Sequence, residues 1–162
     1  MINYSINIAL IATLFICVYQ DFKSRLVHVA LLIIILSLGL IYNYRMDWGW
    51  ISPLKSLLFL VGILGGGFVM HSIIKKRPLK DFYKYFGVGD MVFLVAIIPL
   101  FSYLNYGLFV ISGILLSILF HFAFYVIHKN PQIPLVGYLS IYLSGLLNYS
   151  FVNPSFLKMD IL

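Results

Sequence analysis

The run LLIIILSLGLIY, residues 31–42, carries no charge and no alternation of polarity. It constrains the chain more than any other feature. A membrane barrel strand reads as roughly ten residues of alternating polarity, whereas an unbroken apolar run that must satisfy its own backbone in lipid reads as a helix. Comparable runs cover Tyr4–Gln20, Leu26–Tyr44, Ile51–Ile74, Val88–Tyr103, Tyr106–Ile127 and Leu135–Phe151, parted by stretches that hold most of the charge, proline or asparagine. A hydrocarbon core about 30 Å thick takes roughly 20 helical residues to cross. With 62% hydrophobic and 10% charged residues the chain lies outside the range of soluble domains. The pattern predicts an all-α integral membrane protein, residues 1–162 forming one domain, a bundle of six transmembrane helices.

The first run has almost no basic residue before it and no small-residue cleavage site after it, so it is expected to be retained rather than removed as a signal peptide. Orientation follows from lysine and arginine, which accumulate on the cytoplasmic side. One face receives Lys23, Arg25, Lys75, Lys76, Arg77, Lys80, Lys84 and Lys129, and the other receives Arg45, Lys55 and Lys158. Both termini are therefore expected to be non-cytoplasmic. The net charge of +6 is then a topology signal, with attraction to lipid headgroups second, and no nucleic acid partner is implied. The loop KKRPLKDFYKYF, with its aromatics and Asp81, reads as a cytoplasmic anchor on the bilayer; Asp47 and Asp160 read as solvated charges on the outer side.

The single cysteine, Cys17, supports neither a disulfide within one chain nor a cysteine-based zinc site. His121 and His128 share a helix face and His71 lies in another span, but there is no glutamate, and a metal needs three or four convergent ligands. No metal and no cofactor are expected. Gly62, Gly65, Gly66 and Gly67 are expected to let a neighbouring helix pack closely.

Two of the five aspartates occupy unusual positions. Asp21 ends the first span and Asp90 opens the fourth, on the same expected cytoplasmic face. From Asp90 to Tyr103 the rise is about 21 Å at 1.5 Å per residue, short of the core thickness. Either the bilayer thins there or Asp90 sits below the surface in a watered cavity, where an ionisable side chain marks a functional site. Gly87 and Gly89 flank it and are expected to admit a closely approaching backbone. Pro99 is expected to kink the fourth helix.

Other readings remain open: Asp90 as a helix cap beside a glycine turn, and Asp21 as an interfacial acid paired with Lys23 or Arg25. If the two acids meet, like charges keep one protonated, so one serves as general acid and the other as general base. That is the chemistry by which aspartic proteases hydrolyse amides.

The segments QDFKSRLVHV at Asp21 and GVGD at Asp90, in six spans with both acids on one side, resemble the type IV prepilin and preflagellin peptidases, intramembrane aspartic proteases of the Gly-x-Gly-Asp class. NPQIPLVGYLSIYLSG resembles that family's Ile-Pro-rich entry into its last helix. The resemblance implies Asp21 and Asp90 as the catalytic pair. Gly87, Gly89, Lys23 and Arg25 would serve in substrate binding or in supporting the pair. The implied partner is a membrane-embedded, prepilin-like precursor whose short leader is removed at the cytoplasmic face of the inner membrane, as in secretion or pilus assembly.

The chain departs from the family at Leu26–Val29, where others carry an Ile-Pro-Asn element, at Val92, where a lysine is common, and in having no paired Cys-x-x-Cys insertion. Methylation of the new amino terminus is accordingly not expected of it. Two further readings stand beside the peptidase: a small proton-coupled transporter or channel subunit using the acids as a relay, and a non-catalytic family member that binds pilin-like helices.

Overall fold

A computed structural model describes residues 2–46, 49–75, 87–128 and 133–152. The basic loop with Asp81, and with it Asp47, Lys129, Lys158 and Asp160, lies outside the described residues. Every described regular element is helical. The helices are α1 (Ile2–Ser24), α2 (Val29–Met46), α3 (Ile51–Lys75), α4 (Val88–Ala96) with a 3₁₀ turn at Ile98–Leu100, α5 (Tyr103–His128) and α6 (Leu135–Val152). Two of them, over Ser5–Ser24 and Tyr103–Ala123, are long and apolar enough to cross a membrane, and Val29–Arg45, Ile51–Gly67 and Val88–Leu100 form shorter apolar stretches.

The largest helix contact joins α1 to α6. Its α1 stripe is Ile6, Leu10, Leu14 and Cys17, all buried, at the spacings of three and four that align residues on one helix face. Asp21 falls next on that stripe and is buried with it, at 6% exposure. On α6, Leu139, Leu143 and Leu147 form a buried stripe, and Gly137 is the residue that meets Asp21 and Phe22 of α1. The surface is apolar in the opposite sense to a soluble protein: Leu58, Val61 and Met70 of α3 and Ile111, Leu115 and Leu119 of α5 all point outward.

The fourth span differs from its expectation. Val88–Tyr103 is not one kinked helix: α4 stops after nine residues, and backbone at Phe101 is extended. Pro99 is the cause, since it has no N–H to donate and its ring opposes the carbonyl four residues earlier. The break lies at the centre of the bundle. Phe93, Leu94, Ile97, Leu100 and Phe101 are fully enclosed, and α2, α3 and α6 all contact this short element. A helix end leaves its last carbonyls without partners. The buried Tyr106 hydroxyl meets one of them by donating to the Leu94 carbonyl at 3.1 Å.

The glycine quartet also differs. A Cβ added at Gly62, Gly65, Gly66 or Gly67 would meet nothing within 4 Å, so no described helix packs there. Close approach happens instead at Gly113, where a Cβ would lie 2.5 Å from Leu139, and at Gly137.

Removing the Tyr106 hydroxyl would strand a buried carbonyl at the break. Tyr106→Phe is expected to lower unfolding free energy by about 1–3 kcal/mol, read by denaturation in detergent. Unchanged stability would show that the carbonyl has another partner.

Candidate active site

Asp21 and Asp90 are brought to the same place by α6. That helix starts after Pro134, which has no N–H. The N–H of Leu135 reaches the Ile133 carbonyl at 3.0 Å, and that of Tyr138 reaches the Pro134 carbonyl at 3.1 Å. Between them, the N–H groups of Val136 and Gly137 have no carbonyl to bond inside the helix. Gly137 donates to the Asp21 carboxylate at 2.7 Å. Asp90 lies close enough to this turn and to Asp21 that the Val136 backbone and the Asp21 charge both act on it. Two acids far apart in sequence thus share the positive end of one helix, where carboxylates are favoured both by orphan donors and by the helix dipole.

Each acid is also fixed from its own side. Asp90 is the third residue of α4, and its carboxylate accepts from the Gly87 N–H at 3.2 Å. The capping reading of Asp90 therefore holds alongside its place in the pair. Gly87 itself has φ −64 and ψ 139, a conformation open to any residue, so its expected role as a special turn residue is replaced by proximity: a Cβ there would stand 3.0 Å from the Asp90 carboxylate. Gly89 has open space where its Cβ would be.

On α1, the helix ends through the Arg25 N–H, which donates to the Asp21 carbonyl at 3.0 Å with Arg25 at φ 57. This is the left-handed helix stop usually made by glycine, and in an arginine it costs about 1–2 kcal/mol. The guanidinium acts electrostatically on Asp21 and Tyr138. The Lys23 ammonium is exposed, donates to the Tyr19 hydroxyl at 2.9 Å and lies 5.2 Å over that ring.

Gly137 is a site residue that the sequence reading did not single out. A Cβ on it would come 2.7 and 2.9 Å from the Phe22 ring and 3.3 Å from the Asp21 carboxylate. Only glycine lets α6 press its N–H against Asp21. The signal was present in IPLVG, a proline followed three residues later by glycine at a helix start. Beside it, Phe22 meets Tyr138 edge-on at 5.3 Å between centroids. Those two rings head an apolar cavity of about 740 Å³ between α5 and α6, floored by Ser117, Tyr142 and Gly145. Among the described residues, no three histidine, cysteine or acidic side chains converge as a metal site would require.

Comparison with family models matches residues 8–127 to the type IV leader peptidase family. The chain belongs to the type IV leader peptidase family. Membership makes it a peptidase-family protein, aspartic-type and membrane-associated in that family, as the resemblance at Asp21 and Asp90 implied. Comparison with curated proteins and with solved structures gave no match. The matched segment contains both acids but stops before α6, so the helix that holds them together lies beyond it.

Gly137→Ala is expected to cost about 1–3 kcal/mol through overpacking. Gly62→Ala, in open space, is expected to leave stability equal or raised, by up to about 1 kcal/mol from helix propensity. Thermal melting of both variants makes the comparison, and equal losses would contradict the close α1–α6 contact.

Proposed function

We propose that this chain is an intramembrane aspartic endopeptidase that removes the short leader of prepilin-like or other secreted precursors. Asp21 and Asp90 are its catalytic pair. The observation that carries this reading is the convergence of both carboxylates on the first turn of α6, in a chain of the leader peptidase family. The protein is multi-pass in the inner membrane, with the acids near the cytoplasmic face and the termini on the other side, as the lysine and arginine distribution implies. Nine residues of α4 rise only about 14 Å, so this helix cannot span the core alone. Asp90 then lies at the inner end of a short, half-buried helix, at a depth water must be able to reach.

In the reaction, one carboxylate takes a proton from water as its oxygen attacks the scissile carbonyl carbon. The other carboxyl, protonated beforehand, gives its proton to the amide nitrogen as the carbon–nitrogen bond breaks, leaving a carboxylic acid and an amine. The α6 N–H groups hold each acid in place while charge moves between them. A substrate must be extended at the cleavage point, and the open space at Gly89 supports the approach of such a strand beside Asp90. The apolar cavity behind Phe22 and Tyr138 supports the placement of the precursor's hydrophobic segment next to the pair. Lys23 has its partner in Tyr19 and takes part through topology rather than chemistry.

Co-expression of prepilin-like precursors with the native chain, Asp21→Asn or Asp90→Asn tests this. The native chain should produce a shortened product whose new amino terminus names the bond. Each asparagine variant, isosteric but unable to exchange a proton, should cut about 10²–10⁴-fold more slowly. A variant that cuts at the native rate removes that residue from the chemistry. If the folded native chain cuts none of the precursors, the substrate class is wrong.

A further inference from the structure

Arg25 combines three features that no helix-ending role requires together. Its backbone is held at φ 57, where glycine or asparagine normally serves, so the sequence keeps a strained residue where an unstrained one would end the helix equally well. Strain retained in this way points to function when the side chain has a task. The side chain, secondly, lies beside the acid: its charge acts on Asp21 and on Tyr138, while the backbone of the same residue is tied to the Asp21 carbonyl. Thirdly, its Nη1 is enclosed yet has no hydrogen-bond partner among the described residues. An enclosed guanidinium nitrogen without an acceptor is costly, and a guanidinium keeps its charge at any working pH.

We infer that the Arg25 guanidinium is the donor to the scissile carbonyl oxygen of the precursor, holding that oxygen as negative charge develops on it during water attack. The inference rests on the peptidase reading and deepens it. The Asp pair supplies and removes protons; Arg25 adds a fixed positive charge directed at the one atom of the peptide that becomes more negative in the transition state. Such donors act on turnover more than on binding, because their bond strengthens after the substrate is bound.

Glycine at position 25 separates this role from a structural one. It is the residue best suited to φ 57, so Arg25→Gly is expected to melt at or above the native temperature in detergent. Its kcat for a cleavable precursor is expected to fall by about 100-fold or more, in the range of lost oxyanion donors, with KM within about threefold. Arg25→Gly cleaving with native kcat would overturn the inference while leaving the Asp pair intact. A rise in KM alone would also overturn it, since that would make Arg25 a binding residue. A native chain that cuts no precursor would remove the peptidase reading and this inference with it.

Discussion

The first turn of α6 is the constraint on which the rest of the site depends. A helix that begins just after Pro134 must find acceptors for the N–H groups of Val136 and Gly137, which have none inside the helix. Asp21, buried, and Asp90, half-buried, must find donors, because an unpaired carboxylate away from water is costly. Each need answers the other, with the Gly137 to Asp21 bond at 2.7 Å as its shortest expression.

The packing of the bundle serves that junction. Ile6, Leu10, Leu14 and Cys17 lay one face of α1 along α6 and deliver Asp21 at its end. The absence of a side chain at Gly137 sets how near the helices come. The interruption at Pro99 keeps α4 short, with Phe93, Leu94 and Ala96 buried, and Asp90 lies on it near enough for the Asp21 charge to act on it. Association among apolar helices draws on close packing and hydrogen bonds more than on exclusion of water, and here both are concentrated at glycines and at the carboxylates.

Much of this was legible in the chain. The apolar runs give five of the helices nearly to their ends, because an unbroken run bounded by charge or proline has few other solutions. Asp21 and Asp90 stood out because acids are rare in such a chain, and the structure brings them together. Their spacing along α1 could also have marked Asp21 as inward-facing, since it continues the stripe from Ile6 to Cys17. What stayed hidden was long-range. No local pattern announces that Gly137 donates to a residue 116 positions away. Pro99 signalled a disturbance, but whether a proline kinks a helix or ends it depends on what encloses the following residues. The quartet Gly62, Gly65, Gly66 and Gly67 has the composition of a packing face and finds open space, because close approach needs a partner helix as well as small residues. Arg25 was visible as a charge beside Asp21, whereas its left-handed backbone and unpaired nitrogen belong to the fold alone.

The central claim is that Asp21 and Asp90 form one coupled unit on α6. The most direct measurement is a double-mutant cycle in unfolding free energy for Asp21→Asn, Asp90→Asn and the two combined, in detergent at one pH. Residues that share partners should couple, and an interaction energy of at least about 0.5 kcal/mol is expected. Effects that add to within about 0.3 kcal/mol would mean that the acids act independently, and the shared site would have to be abandoned.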